Sequence, residues 1–142
     1  GYTWEGGRIW RNSFVRNDFV IERMRQDNDD ATIRDVALGG DHTLVLSSNQ
    51  LDVYAFGKGG EGQVGTAGKP FVSAPARATK LSVMGGGKKT KISAVCAIQH
   101  CSLTVDDKGD VLKHAGKCKR SSREFQQALK DCIRRARSDG LL

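Results

Sequence analysis

One pattern is written twice along this chain. Ile33, Val36, Leu44 and Leu46 have counterparts in Ile92, Val95, Leu103 and Val105, each 59 positions further on. Thr43 matches Ser102 at the same offset. Each copy alternates apolar and polar residues on either side of a turn, the mark of half-buried antiparallel strands. The turn is Gly39-Gly40 in the first copy; the second lacks it, and its His100 slips one position relative to His42. A polar turn and a third strand follow each copy: Ser47 to Gln50 then Asp52 to Lys58, and Asp106 to Gly109 then Asp110 to Leu112, ending near Gly116-Lys117. The opening residues Tyr2 to Gly6 resemble Tyr54 to Gly57. A small sheet built this way leaves one face uncovered, so units of ~50–60 residues must stack on neighbours, at a spacing close to that of propeller blades.

A family resemblance rests on two segments. Asp52-Val53-Tyr54-Ala55-Phe56-Gly57, followed by Gly62-Gln63-Val64-Gly65, Pro75 and Leu81, resembles the repeat of the regulator-of-chromosome-condensation family. Val36-Ala37-Leu38-Gly39-Gly40-Asp41-His42-Thr43-Leu44 resembles its other hallmark segment. The likeness is strong over 33–81, fair over 92–117, weak over 1–32, and does not extend to 118–142. It implies a β-propeller, of which this chain holds a little over two units, with other blades elsewhere or a partner supplying closure. It also implies that His42 is structural, bonding to backbone within its blade. The expected architecture is therefore mainly β: antiparallel propeller-blade-like sheets, an incomplete propeller, with a C-terminal amphipathic helix. The expected divisions are a degenerate first blade or extension (1–32), two propeller-type repeats (33–117) and a basic amphipathic helix (118–142).

Charge is distributed unevenly. The formal net charge is +7, yet residues 1–61 hold 7 basic and 10 acidic side chains. Residues 62–105 hold six basic ones (Lys69, Arg77, Lys80, Lys88, Lys89, Lys91) and no acid, and 113–142 hold nine basic against three acidic. A basic second half suits an anionic partner, RNA, DNA or an acidic protein surface, or else a solvated, solubilising face.

Several chemical readings fail on spacing. Gly57-Lys58-Gly59-Gly60-Glu61-Gly62 fits the letters of a dinucleotide loop. The following Gln63 to Pro70 cannot open a stable helix, however, and no acid follows before residue 106 to hold a ribose. Gly85-Gly86-Gly87-Lys88-Lys89-Thr90 fails as a phosphate loop, because Ser82 and Lys89 stand where Gly and Ser or Thr are needed. No Ser-His-Asp or Cys-His set can be argued, and Asp29-Asp30 and Asp106-Asp107 sit in polar turns. No enzyme, cofactor or resident metal is expected. Cys96, Cys101, His114 and Cys118 leave a zinc site open as an alternative to ordinary core cysteines. The four cysteines look too few and too irregular for a disulfide framework, which favours a reducing intracellular compartment. The sequence has no run of ~18 apolar residues and no secretory signal, so no membrane partner is expected.

From Ser121 the period changes to that of a helix. Ser121-x-x-Glu124 reads as a capping box, and Phe125, Ala128, Leu129, Cys132, Ile133 and Ala136 form one apolar stripe ended by Gly140. The expected anion-binding residues are Lys88, Lys89, Lys91, Lys119, Arg120, Arg123, Lys130, Arg134, Arg135 and Arg137. Together these features predict a non-catalytic scaffold among neighbouring proteins of a large complex. A ribonucleoprotein such as an organellar ribosome is the expected setting, in the mitochondrion, with the nucleus as alternative. The family resemblance implies the other reading, a guanine-nucleotide exchange factor for a small GTPase or a chromatin-binding regulator.

Overall fold

The computed structural model describes residues 2–3, 8–9, 18–58, 65, 71–83 and 90–142. Short strands β1 (Tyr2–Thr3) and β2 (Arg8–Ile9) pair with each other. Helix α1 (Asp18–Asp27) follows, an element for which the sequence pattern gave no expectation. A four-stranded antiparallel sheet holds β3 (Ile33–Leu38), β4 (His42–Ser47), β5 (Val53–Lys58) and β6 (Phe71–Arg77) in that order. A three-stranded one holds β7 (Ala94–Ile98), β8 (Cys101–Val105) and β9 (Val111–Gly116). Helix α2 (Arg123–Ser138) ends the chain's regular structure. The fold is thus mainly β, two blade-like antiparallel sheets with a C-terminal amphipathic helix.

The two sheets match across most of their pairs and part at one, where Leu46 faces Val53 but Val105 faces Val111 rather than Leu112. Ala37 faces Leu44 across β3–β4, and Cys96 faces Leu103 across β7–β8. Leu44 faces Ala55 in the first sheet and Leu103 faces His114 in the second. The 59-residue offset therefore carries the strand register itself. It also carries the turns. Gln50 and Gly109, at φ 63° and 87°, occupy equivalent left-handed positions. Gly57 and Gly116, at φ 111° and 94°, end β5 and β9, and each is followed by an N–H that bonds back: Lys58 to the Asp41 carbonyl, Lys117 to that of His100. A Cβ on Gly57 would lie 2.5 Å from the Asp41 oxygen, so the turn closes only around glycine.

Successive sheets stack in one sense. Strands present alternate residues to opposite faces. Leu44, Leu46, Val53 and Ala55 of the first sheet pack against Val95 and Ala115 of the second, with Leu81, Val83 and Ile92 of the connection between them. The opposite face of the first sheet, through Val45 and Tyr54, receives Val20 and Met24 of α1. Arg23 lies 5.4 Å from the Tyr54 ring centre, and the Tyr54 hydroxyl donates to Asp27. On the second sheet, Cys96, Cys101 and Leu103 stand where Ala37, His42 and Leu44 stand in the first, and they pack on Phe125 of α2. Ala94 and Val105 pack on Ala136. The order is α1, first sheet, second sheet, α2. The second helix thus covers the face on which a further sheet of the same kind would lie.

Strand β6 was hidden in the sequence by Pro75. Proline is tolerated there because β6 is an edge strand and its register shifts opposite Ala55 and Gly57, where a ladder donor is dispensable.

Polar contacts fix the spacing between the sheets. Asp35, 7% exposed, accepts at Oδ2 from the Val95 N–H at 3.0 Å. Arg34 donates to the Ser93 carbonyl at 3.0 Å and to that of Leu141 at 2.9 Å. His42, 3% exposed, places Nε2 2.8 Å from the Ser102 Oγ, so its ring bonds across to the next sheet rather than within its own. Its Nδ1 is buried without a hydrogen-bond partner among the described residues. Burial pushes the His42 ring down to about 4, with His100 acting in the same direction and Asp41 against it. Its unfolded value lies near 6.5. Between these values the unfolded chain takes up a proton that the native ring refuses. The ring's contribution is therefore complete above pH 6.5 and is lost as pH falls toward 4. The loss should amount to about 2–3 kcal/mol. Urea unfolding at several pH values checks this: His42→Gln should flatten that part of the stability profile, and an unchanged profile would refute the assignment.

Candidate functional site

The C-terminal helix carries the most concentrated positive surface, and its local chemistry explains its position. Its N-cap is Ser122, whose Oγ accepts from the Phe125 N–H at 3.1 Å and donates to the Lys119 carbonyl at 2.9 Å. The expected box at Ser121 is thus displaced by one residue. Glu124 then lies in the first turn, where its charge favours the helix dipole without closing a box. Gly140, at φ 78°, ends the helix as expected: its N–H bonds to the Arg137 carbonyl and the Leu141 N–H to that of Ala136. That pair of bonds is a Schellman motif.

Docking separates the arginines into two groups. Arg135 turns inward and forks onto Asp35, Nη1 to Oδ1 at 2.8 Å and Nη2 to Oδ2 at 3.3 Å. Nη2 also reaches the Val95 carbonyl at 3.3 Å. Arg135 is therefore engaged with Asp35 of β3, apart from the exposed basic residues of the helix. Residue counts register its charge but not the buried carboxylate waiting for it. Arg123, Lys130, Arg134 and Arg137 are exposed. At ~100° per residue these four fall within about 60° of one another, opposite the buried Phe125 and Ala136, along about 21 Å of helix. Arg134 shares its charge with Asp131 at 3.1 Å, an exposed pair of little energetic weight. Lys119 and Arg120, also exposed, precede the helix. Lys91 is exposed just ahead of β7. Lys88 and Lys89 lie outside the described residues, as do both glycine-rich loops from residue 59 to 64 and from 84 to 89.

The cysteines overturn two expectations. Cys96 is bonded to Cys132, and Cys101 to Cys118. They are neither free core thiols nor zinc ligands, and His114 is exposed. Among the described residues no three His, Cys, Asp or Glu side chains converge as a metal set would require. The spacing concealed the pairs because each bond joins different elements, β7 to α2 and the start of β8 to the segment after β9. Cys101 occupies the position of His42, so the second sheet holds a disulfide where the first holds a buried histidine bonded across to Ser102.

Stacked antiparallel sheets with matching register and turn geometry define a propeller-type repeat module. Residues 33–63, within the first of the two units, match the regulator of chromosome condensation (RCC1) repeat. Among solved structures the chain is similar to human WBSCR16, with 28% identity over 63% of this chain and 21% of that one, at a TM-score of 0.48. It is also similar to yeast RCC1 (Prp20) bound to Kap60, with 21% identity over 61% of this chain and 18% of that one, TM-score 0.47. A second structure of Prp20p from Saccharomyces cerevisiae gives 21% identity over 69% and 23%, TM-score 0.46. The chain spans about a fifth of the length of these proteins. No helix among the described residues is long and apolar enough to cross a membrane.

Proposed function

We propose that this chain is a non-catalytic interaction scaffold, a propeller-repeat component of a larger assembly, whose α2 surface contacts RNA. The supporting observation is the division of labour on α2. One face is committed to the second sheet through Phe125, Ala136 and the Cys96–Cys132 bond, and to β3 of the first through the Arg135–Asp35 fork. The opposite face holds Arg123, Lys130, Arg134 and Arg137 in one exposed row. A rigid row of cations suits a polyphosphate backbone, which needs charge at intervals rather than base-edge contacts. Lys119 and Arg120 extend the row toward the preceding loop, and Lys91 stands with Lys88 and Lys89 as a second basic group in the sequence. A ribonucleoprotein such as an organellar ribosome is the proposed setting, mitochondrial in the first instance and nuclear in the second. The two disulfides remove the cysteine argument for a reducing compartment and require surroundings that keep them oxidised, so this setting rests on the basic surface alone.

Filter binding to a single-stranded RNA at increasing salt tests the reading. Affinity should fall steeply, and Arg123→Glu with Arg137→Glu should weaken binding by about tenfold or more while leaving thermal stability unchanged. Absence of binding at low salt, or salt-independent binding, would overturn it. Exchange activity toward a small GTPase in the same preparation would favour the exchange-factor reading instead.

A further inference from the structure

The two sheets differ in one respect that their shared register makes conspicuous: the first has four strands and the second has three. In the first, β6 lies along β5 through Tyr54–Arg77, Ala55–Ala76, Gly57–Val72 and Lys58–Phe71. The equivalents of those β5 residues are Lys113, His114 and Gly116 of β9 and Lys117 just after it. Among the described residues no strand pairs with the outer edge of β9.

That edge has the form of its counterpart. The Lys113 N–H turns inward, donating to Thr104 Oγ1 at 3.1 Å. By the alternation of a strand, His114 and Gly116 turn their backbone groups outward; Leu112, the extra residue where the register shifts between Lys113 and Val111, is the counterpart of Val53. In the first sheet the same parity is visible at Val53, whose carbonyl accepts from the Ala78 N–H at 2.7 Å on the β6 side. Charge then narrows what can lie there. Lys113 and His114 are exposed on β9, and Lys117, Lys119 and Arg120 follow it. Basic edge residues discourage pairing with another basic strand, including a second copy of β9.

We infer that the outer edge of β9 is a strand-addition site for an extended acidic segment of a partner protein, held antiparallel as a fourth strand. Main-chain bonds to Leu112, His114 and Gly116 supply the affinity, and the exposed lysines supply the preference for acidic side chains. The site is separate from the α2 row and stands without it.

A synthetic peptide of about eight residues alternating Val with Glu is the probe, added to the intact oxidised chain and followed by amide exchange and NMR titration. Saturable binding is expected, with slowed exchange at Leu112, His114 and Gly116 and weakening at high salt. His114→Pro removes an outward N–H that β8 does not use and should cost about tenfold in affinity. Lys113→Glu, which leaves the backbone untouched, should weaken the acidic peptide and improve a peptide alternating Val with Lys. The α2 double variant, which removes RNA binding under the proposed function, should leave peptide binding intact. The inference is overturned if the three amides stay unprotected at saturating peptide, if the lysine peptide binds the wild-type chain equally well, or if RNA protects them and the peptide does not.

Discussion

Replacing Arg135 with Ala should lower the unfolding free energy by about 2–4 kcal/mol. The cause is the residue left behind. Asp35 is buried at the junction of the two sheets, and Arg135 neutralises it from α2 through two bonds. Without the guanidinium the carboxylate keeps only the N–H groups of Val36 and Val95. An uncompensated buried charge costs more than the pair contributes. Asp35→Asn with Arg135→Leu removes the charge together with its partner and should recover part of the loss. A double-mutant cycle by urea denaturation measures the coupling. Simple additivity of the single variants would show that the fork does not bind helix to sheet.

Loss of the Cys96–Cys132 bond should be of similar size. The bond closes a loop across a separation of 36 residues and ties α2 to the second sheet. A chain cross-link of that reach typically contributes about 2–4 kcal/mol by restricting the unfolded chain. Cys96→Ala with Cys132→Ala should lower the melting temperature accordingly, and the amides of α2 should lose exchange protection before those of β3, β4 and β5 do. Cys101→Ala with Cys118→Ala closes a shorter loop, 17 residues, and should cost somewhat less. Equal loss of protection in every element would mean that the helix is not a separately anchored unit.

The repeat was legible because register and turn chemistry are local and periodic. Leu44 and Leu103, or Gly57 and Gly116, sit in environments that a neighbour-by-neighbour comparison can match. The apolar stripe of α2 was legible for the same reason. Helix α1 was not, since only Val20 and Met24 are buried in a segment otherwise charged, and Phe19 points to solvent. Strand β6 was obscured by Pro75, whose tolerance depends on an edge position that appears only in the assembled sheet. The basic row on α2 was half legible. Composition identified its charges, but which arginine turns inward depends on Asp35, 100 residues away in sequence. The Cys96–Cys132 bond joins a strand and a helix whose proximity is created by stacking, and Cys101–Cys118 closes across the β8–β9 pair just beyond Gly116, so no spacing rule could select them.

In the stacking order α2 takes the place of a further sheet. Proton–proton Overhauser contacts in the oxidised chain measure it most directly. The predicted spectrum joins the Phe125 ring to the Leu103 methyls, and the His42 ring to Ser102. Contacts from Phe125 to Leu44 or Leu46 instead, or none from α2 to the second sheet, would contradict it.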